Sequence, residues 1–394
     1  MRGGRHNLMR RWGVLPLVGL LGAVLLVSVG LRAASHISHY LPLIVADSPI
    51  VPRGDLFVSP TGSDDNDGRT PTHPLRTLAL ALEIARPGET VLLLPGTYTG
   101  MTEVYDVGDG TAPITITGQS PEHVIFDGSG MKGAAFQCWS CRGVTLENVT
   151  IQNYAWGGVG IFFGQDITLR HLRIVHSGFT IHPDVDDGGG GIIVVESSDV
   201  LIEQVSMAHI GLQRVEQEIS GNGVNMWRCR DCTVRSVDIR DVLGTGILVE
   251  ESCRVLVEDN RVTFGKMDMD TWWDSGVWLD GGQDVTVRAN VFEHNDGPGI
   301  QVSDSEAVYP QASRQFVVED NVSRFNRVGL YVWNYGVCPA PEDALRLHGN
   351  RFSDNQQGEV SCLSWACGEG QPCVPADGPP VSCQGAGGSD RAGK

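Results

Sequence analysis

A weak repeat between residues 143 and 360 constrains this chain more than any other feature. Each unit contains a short segment in which Val, Ile and Leu alternate with polar residues, the pattern of a half-buried strand. Most units continue after a glycine into a second apolar segment, and such a glycine suits a tight corner between strands. The first segments are GVTLENVTI (143–151), DITLRHLRI (166–174), DVLIEQVSM (199–207), DCTVRSVDI (231–239), RVLVEDNRV (254–262), DVTVRANVF (284–292), QFVVEDNVS (315–323) and ALRLHGNRF (344–352).

The spacing of the repeat predicts an all-β fold, a single-stranded right-handed parallel β-helix. Val144 and Ile167 are 23 residues apart, about one coil of such a solenoid, whereas Ile167 and Val200 are 33 apart, a coil with an inserted loop. No unit shows a 3.6-residue period long enough for a helix pair, which excludes helical solenoids. Two sets of asparagines each share a register and are predicted to stack as internal ladders: Asn260, Asn290, Asn321 and Asn350, and Asn295, Asn326 and Asn355.

Residues 57–100 precede the repeat and predict an N-terminal cap. An amphipathic helix from about Leu75 to Ala85 can cover the open end of the β-helix, where unpaired strand edges would otherwise template aggregation. The turn SPTGSDDNDG, followed by PLRTLALALEIARPGETVLLLPGTY, resembles the cap of pectate-lyase-like (pectin-lyase-like) β-helix proteins, notably family nine polysaccharide lyases and relatives such as chondroitinase B. This resemblance implies the fold and an extracellular polyuronate or other glycan as substrate. It carries over no catalytic residues, because no local family motif matches around a site.

The first residues predict delivery across a membrane. A basic segment (1–12) precedes 19 uncharged residues (13–31), the arrangement of a signal anchor or a signal peptide, and both readings stay open. A linker (32–54) leads to the β-helix domain (55–360, with the cap at 55–100) and to a Cys-rich tail (361–394). The domain is therefore expected outside the cytoplasm, either secreted or attached to the membrane through residues 13–31.

Charge and cysteine content narrow the possible partners. The net charge of −18 repels nucleic acid, so no nucleic-acid partner is expected, and a monomer is predicted. In an oxidising compartment the close pairs Cys138/Cys141 and Cys229/Cys232 indicate disulfides or buried thiols.

The segments that follow the glycines predict a sugar-binding face. If they form one sheet, one line of outward side chains reads Phe162, Ile193, Asn225, Leu248, Trp278, Gln301 and Tyr331, and a second reads Gly164, Val195, Trp227, Glu250, Asp280, Ser303 and Trp333. Glu250 and Asp280 are then direct neighbours beside Trp227, Trp278, Tyr331 and Trp333. Aromatic rings offer flat surfaces for sugars, and carboxylates bind calcium or act as acid and base. Alternatively, these side chains only cover a sheet beneath loops.

The loop before Gly276 suggests chemistry for this face. Lys266 is the one lysine of the repeat region, and it lies near Asp268, Asp270 and Asp274. In lyases of this fold class a Lys or Arg removes the proton beside a uronate carboxylate, and calcium held by acidic residues makes that proton more acidic. Lys266, or an arginine such as Arg327, is the predicted base, with Glu250, Asp274 and Asp280 as calcium ligands. Asn225 and Arg327 are among the predicted substrate-binding residues. Alternatively, Lys266 is an ordinary surface partner of an aspartate.

A second acidic cluster, Asp184, Asp186 and Asp187, also suits calcium, although a solvated turn has the same composition. The leading hypothesis is a calcium-assisted lyase that cleaves a uronate-containing polysaccharide by β-elimination. A glycoside hydrolase that uses Glu250 and Asp280 is the second candidate, and a non-catalytic glycan-binding or structural surface protein is the third.

Overall fold

In the computed structural model, residues 53–179, 189–214, 217–219, 221–266, 274–303, 315–333 and 345–363 are described, together with their side chains except those of residues 212–219, 333, 362 and 363. The chain winds into a right-handed parallel β-helix, as the repeat predicts. Each coil contributes to three parallel sheets in the order sheet 3, sheet 1, sheet 2. Four strands bend at a corner and belong to two sheets: β8 (Arg142–Tyr154) and β10 (Gln165–Ser177) join sheets 1 and 2, and β19 (Ile247–Glu258) and β21 (Val277–Arg288) join sheets 3 and 1.

The remaining strands divide among the sheets by their pairing. Sheet 1 also contains β1 (Leu56–Val58), β2 (Thr90–Leu93), β5 (Ile114–Gly118), β12 (Ser198–Glu203), β17 (Thr233–Arg235), β24 (Val317–Glu319) and β27 (Arg346–His348). Sheet 2 contains β3 (Gly96–Thr99), β6 (Val124–Met131), β13 (Ser206–Ile210), β18 (Asp238–Val242), β20 (Arg261–Thr263), β22 (Val291–Glu293), β25 (Val322–Arg324) and β28 (Arg351–Ser353). Sheet 3 contains β4 (Thr102–Tyr105), β7 (Ala134–Trp139), β9 (Gly157–Phe162), β11 (Gly189–Val195), β16 (Gly221–Trp227), β23 (Pro298–Ser303), β26 (Val328–Trp333) and β29 (Val360–Leu363). An antiparallel pair, β14 (Leu212–Arg214) and β15 (Gln217–Ile219), interrupts the path from sheet 2 to sheet 3.

The core consists of the side chains that alternate inward along every strand. Ile239 on sheet 2, Val224 on sheet 3 and Val234 on sheet 1 are all fully buried, and the equivalent positions of most other coils are Val, Ile, Leu or Phe. Alternation with a period of two therefore gives a continuous apolar column inside the solenoid.

Both predicted asparagine ladders are confirmed. The Asn290 side-chain amide donates to Asn321 Oδ1 at 2.9 Å and accepts from the Asn260 amide at 3.0 Å, and Asn321 continues the series by donating to Asn350. In the second ladder Asn295 donates to Asn326 Oδ1 at 2.9 Å. These buried amides satisfy each other and the backbone of the turns between sheets.

The cap helix α1 (Leu78–Ile84) is shorter than the predicted span of Leu75 to Ala85. Leu75 instead pairs with Val58 as an isolated bridge, which removes it from the helix. Thr77 caps the helix by accepting from the backbone N–H of Leu80. Leu78, Ala81 and Leu82 are buried in the main core, so the helix closes the end of the solenoid as expected.

Sheet 1 carries an outward line of alternating charge that sequence analysis did not identify. Glu147, Arg170, Glu203, Arg235, Glu258, Arg288 and Glu319 occupy successive coils in direct register. Each arginine forms an ion pair with the glutamate of the preceding coil. The nitrogen–oxygen distances are 2.5 Å for Arg170–Glu147, 2.6 Å for Arg235–Glu203 and 2.7 Å for Arg288–Glu258. Opposite charges that face each other on neighbouring strands stabilise this register.

The two close cysteine pairs form disulfides. Cys138–Cys141 and Cys229–Cys232 have Cα–Cα distances of 5.8 and 6.2 Å, and Cys253 is also disulfide-bonded. Both pairs close the corner that leads from sheet 3 to sheet 1. The predicted anchor, linker and Cys-rich tail lie outside the described residues, apart from residues 53–54 and 361–363. Among the residues that are described, no helix combines the length and apolar character needed to cross a bilayer.

Candidate functional site

The outer face of sheet 3 carries the two predicted lines of side chains in register from Ile193 and Val195 onward. We call the line that runs through Asn225, Leu248, Trp278, Gln301 and Tyr331 ladder A, and the line through Trp227, Glu250, Asp280, Ser303 and Trp333 ladder B. Glu250 and Asp280 are direct partners on adjacent strands, with Trp227 on the strand before them. The inferred neighbourhood of these three residues is therefore present.

The predicted ladders are wrong at their first member. Phe162 pairs with Val195 and belongs to ladder B, whereas Gly160 pairs with Ile193 in ladder A. The sequence GGVGIFFG offers several glycines, and the prediction placed the corner at Gly160 rather than at Gly158. A side chain at Gly158 would meet the Gly191 carbonyl at 2.6 Å, so this glycine is the one that the corner requires.

Ladder B continues toward the N-terminus as an aromatic column that sequence analysis missed. The rings of Tyr105 and Trp139 stack with centroids 6.2 Å apart, and those of Trp139 and Phe162 with centroids 4.0 Å apart. Phe162 is buried in a small apolar cluster with Trp156 and Ile193, while Tyr105 is 62% exposed. The signal for this column was present in the sequence, because Tyr105, Trp139 and Phe162 end successive sheet 3 segments.

The centre of the face is more buried than an open aromatic platform would be. Asp280, Asn225 and Tyr331 are 4%, 5% and 8% exposed, whereas Trp227 and Trp278 are half-buried. Burial raises the pKa of the Tyr331 hydroxyl. Asn225 Oδ1 is buried and has no hydrogen-bond partner in the described part of the chain, so a polar acceptor of ladder A is left unsatisfied.

Hydrogen bonds link Trp278 to the carboxylate of ladder B. Trp278 Nε1 donates to Ser303 Oγ at 2.6 Å, and Ser303 Oγ donates to Asp280 Oδ1 at 3.0 Å. The indole is therefore oriented by the same hydroxyl that holds Asp280. These three side chains form one connected unit, although the sequence suggested separate roles in sugar stacking and metal binding.

Arg228 is a charged neighbour of Trp227 that sequence analysis missed. Its guanidinium lies 4.3 Å from the centroid of the Trp227 ring, and its Nε donates to Glu251 Oε2 at 2.6 Å. A second carboxylate, Glu196, approaches Arg228 Nη1 at 3.5 Å. The Cys229–Cys232 disulfide begins at the next residue and fixes the corner that aims this arginine. One face of Trp227 is therefore a cation–π surface rather than a bare ring.

Lys266 lies at a different corner from Glu250 and Asp280, two of the carboxylates with which it was grouped. Its Nζ pairs with Asp241 Oδ1 at 2.5 Å, and its backbone bridges Leu243, seven residues before Glu250. Glu250 is the fourth residue of the sheet 3 segment that begins after this corner, and no ion pair links Lys266 to Glu250 or Asp280 in the described part of the chain. The structure thus separates Lys266 from two of the predicted metal ligands, Glu250 and Asp280.

Among the described residues, Asp274 and Arg327 lie outside the strands that carry the Glu250–Asp280 pair. Asp274 is 8% exposed and precedes β21. Arg327 is half-buried at the corner before β26, where its backbone N–H bonds to Gly297 O at 3.0 Å. Asp184, Asp186, Asp187, Asp268 and Asp270 lie outside the described residues, as does the side chain of Trp333.

The described residues do not complete a calcium site. Glu250 and Asp280 supply adjacent carboxylates, but in the described ranges no three His, Cys, Asp or Glu side chains gather within metal-binding reach. Calcium prefers six to eight oxygen ligands, whereas the two carboxylate groups of this pair have four oxygens.

Comparison with known proteins agrees with the geometry at the level of the fold. Residues 180–368 match a family profile described as a right handed beta helix region, and residues 56–198 match one described as a Pel9A-like, right handed beta helix region. The chain is 25% identical over 351 residues to the uncharacterized protein YwoF of Bacillus subtilis (strain 168), which covers 83% of this chain and 72% of that protein.

Two further relatives have names that state an activity. Pectate lyase PEL9 of Emericella nidulans is 39% identical over 87 residues, which are 22% of this chain and 21% of that enzyme. The crystal structure of an alginate lyase from Paenibacillus sp. str. FPU-7 superposes with a TM-score of 0.52 at 18% identity, over 73% of this chain and 96% of that one. The structural likeness shows a shared fold.

Proposed function

This chain has a right-handed parallel β-helix of the pectate-lyase-like kind, and from that premise we propose that it acts on a polysaccharide containing uronate residues. The proposed reaction is β-elimination, in which the glycosidic bond at C4 of a uronate is broken without water. The names of PEL9 and of the Paenibacillus alginate lyase support this class of substrate.

The observation that carries the proposal is the Trp227–Arg228 surface beside the Glu250–Asp280 pair. An indole offers an apolar face to a sugar ring, and a guanidinium 4.3 Å from that ring can bind a uronate carboxylate with two hydrogen bonds. Arg228 is 37% exposed, so an incoming carboxylate can reach it in competition with Glu196 and Glu251. A site with this composition favours an anionic sugar over a neutral one.

The side chains of the face bind and orient the glycan. Trp227 and Arg228 hold one sugar, and Trp278 is fixed by Ser303 as a second contact. Lys266 is an ammonium held by Asp241, and an ammonium has no lone pair with which to accept a proton. We therefore assign Lys266 to binding a carboxylate rather than to the role of base.

Calcium remains a proposal that rests on Glu250 and Asp280 as two of its ligands. Bound there, the ion would hold the carboxylate of a uronate on sheet 3 and so fix the glycan on this face. Addition of calcium should then raise the melting temperature of the protein, and Glu250→Gln should abolish that rise, while Glu147→Gln on sheet 1 should leave it intact. An unchanged melting temperature in the wild-type protein would contradict the calcium proposal.

The activity is tested by following the absorbance of unsaturated uronate products with polygalacturonate, alginate and other polyuronates. We expect Trp227→Ala to raise KM about 10-fold or more, because it removes both the sugar surface and the support of Arg228. Phe264→Ala, which removes an exposed aromatic ring at another corner, is the matched control and should change KM less than about two-fold. A wild-type protein that is folded but yields no unsaturated product from any polyuronate would exclude the lyase.

A glycoside hydrolase is the second candidate, favoured by one observation. Glu250 and Asp280 are partners on adjacent parallel strands, and a carboxylate separation near 5 Å is typical of retaining glycosidases. Release of reducing ends without unsaturated product, lost in both Glu250→Gln and Asp280→Asn, would favour the hydrolase over the lyase.

We also propose that the domain works outside the cytoplasm. The basic and apolar residues 1–31 and the disulfides Cys138–Cys141 and Cys229–Cys232 support this location. If the domain is anchored, a protease that cannot enter intact cells should digest it at the cell surface. If it is secreted, the domain should be recovered from the medium. A domain recovered only from the cytoplasm, with reduced cysteines, would contradict the proposal.

A further inference from the structure

A line of non-glycine residues with left-handed backbone marks the corner from sheet 2 to sheet 3. His176, His209, Asp241, Phe264, His294 and Phe325 have φ between 52° and 58°. His176, His209 and Asp241 follow one another on successive coils, and Lys266 lies two residues after Phe264 on the next coil. We call His209, Asp241 and Lys266 the corner cluster.

Direct contacts connect the members of the corner cluster. His209 Nδ1 lies 2.5 Å from Asp241 Oδ2, and Lys266 Nζ lies 2.5 Å from Asp241 Oδ1. The rings of His176 and His209 stack with centroids 4.8 Å apart. Asp241 is thus shared between an imidazole and an ammonium, one on each carboxylate oxygen.

The ionisation of Asp241 determines which nitrogen of His209 is basic. Burial acts to raise the pKa of Asp241, but hydrogen bonds from Lys266 and His209 outweigh it and hold the pKa below its usual value. A carboxylate can only accept hydrogen bonds, so Nδ1 of His209 must be the donor. In neutral His209 the lone pair is therefore on Nε2, the nitrogen that points away from Asp241.

The corner cluster is accessible to a ligand. The side chain of His209 is 53% exposed and that of Lys266 is 42% exposed. In the described part of the chain, His209 contacts Asp241 and the ring of His176, and Lys266 lies on the other oxygen of Asp241. The nearby Arg240 is paired with Asp238. A basic nitrogen and an ammonium are thus presented to solvent side by side.

We propose that the corner cluster is the proton-transfer site of the β-elimination, an inference that rests on the proposed function. His209 is the base, Asp241 is a positioning residue, and Lys266 binds the carboxylate of the uronate that reacts. Sheet 3 begins a few residues later in the same coils, so a glycan that lies along the strands of that sheet from Trp227 reaches this corner.

The reaction balances with these groups. Lys266 pairs with the uronate carboxylate, and this contact stabilises the negative charge that develops when the C5 proton leaves. His209 Nε2 takes that proton, the electron pair of the C5–H bond becomes the C4=C5 double bond, and the C4–O4 bond breaks. The O4 oxygen keeps the bonding pair and takes a proton from water, and His209 later returns its proton to the hydroxide so formed.

The decisive variant is His209→Asn, which keeps a donor toward Asp241 but has no basic nitrogen at the position of Nε2. We expect kcat to fall by about 10²-fold or more with KM within about two-fold, because general-base catalysis contributes about that factor. His176→Asn is the matched control, since it removes the stacked ring without touching Asp241, and its kcat should stay within about three-fold of the wild type.

Asp241 and Lys266 are tested by readouts that a structural role would not move. Nitrogen-15 NMR of the histidine side chains should place the proton of neutral His209 on Nδ1 in the wild-type protein and on Nε2 in Asp241→Asn. Lys266→Met should raise KM about 10-fold for the uronate substrate and also lower kcat, while leaving the pH profile of kcat in place.

The outcomes separate the two proposals. An active wild type with an equally fast His209→Asn variant, or wild-type His209 with its proton on Nε2, would overturn the corner cluster and leave the lyase intact. A wild type that yields no unsaturated product from any polyuronate would overturn the lyase and this inference with it. Loss of rate in His209→Asn, with the tautomer on Nδ1 and an active His176→Asn, supports both.

Discussion

At the scale of single residues, neighbours rather than residue type decide what each carboxylate of this protein can do. Asp241 has an ammonium and an imidazole on its two oxygens, whereas Asp280 is 4% exposed and accepts from Ser303. The first arrangement orients a base, and the second orients an indole through the shared hydroxyl.

The lowered pKa of Asp241 predicts how its contribution to stability depends on pH. Because the pKa in the folded protein lies below the usual 3.8, the stabilisation is fully present above that value and is lost as the pH falls through the folded pKa. Asp241→Asn should lower the melting temperature by about 1–3 °C at pH 6–7, since this partly exposed ion pair is screened by solvent.

Melting curves at several pH values test this prediction. The difference between the wild type and Asp241→Asn should shrink as the pH approaches 3. Asp238→Asn, in an exposed pair with Arg240 on the same strand, is the control and should show a smaller difference at neutral pH. A gap that widened toward acid pH would contradict the assigned ionisation.

The sequence could predict neighbours that occupy the same position of adjacent coils, but not the partner of Lys266. Glu250 and Asp280 occupy the same position of adjacent coils, so a register count was enough to bring them together. Asp241 has a left-handed backbone conformation, which sets the direction of its side chain toward Lys266. No alternation pattern in the sequence encodes that direction.

At the scale of elements, the asparagine ladders determine how firmly the coils are held together. Asn290 makes hydrogen bonds to Asn260 and Asn321 on the two neighbouring coils and to the Val257 carbonyl, and it is fully buried. A buried amide of this kind stabilises the corner between two sheets by hydrogen bonds, as an inward valine stabilises a strand by apolar packing.

Asn290→Ala should therefore lower the free energy of unfolding by about 3 kcal/mol, because several buried partners lose a hydrogen bond at once. Asn350→Ala, at the half-buried end of the same ladder, should cost only about 1 kcal/mol. Denaturant unfolding followed by circular dichroism measures both values. Equal losses in the two variants would show that the ladder does not act as a connected unit.

The elements were predicted well where one pattern repeats and poorly where several patterns compete. Strand periodicity and the spacing of asparagines gave the coils and both ladders. Four glycines in GGVGIFFG left the corner of one coil ambiguous, and the ladder was misaligned by two residues there. The helix began later than its apolar pattern suggested, because Leu75 found a strand partner in Val58.

At the scale of the whole molecule, the charge of the chain opposes that of the proposed substrate. The protein carries a net charge of −18, and a polyuronate is a polyanion. Long-range repulsion should slow their encounter, so the local cations Arg228 and Lys266 must act at short range.

The KM for a polyuronate should therefore fall by about two- to five-fold as salt rises from about 10 to 150 mM, because screening weakens the long-range repulsion first. Kinetics at constant pH over this range measure the effect, with a short uronate oligomer as a control that should respond less. A KM that rises steadily with salt would mean that local attraction by the arginine and lysine outweighs the net charge.

The alternating glutamates and arginines on sheet 1 limit how such a chain can grow in evolution. Duplication of one coil would place a glutamate beside a glutamate or an arginine beside an arginine, and like charges in direct register are unfavourable. Duplication of two coils would preserve the alternation along the whole line. Descendants of this solenoid that keep the charge line should therefore differ in length by an even number of coils.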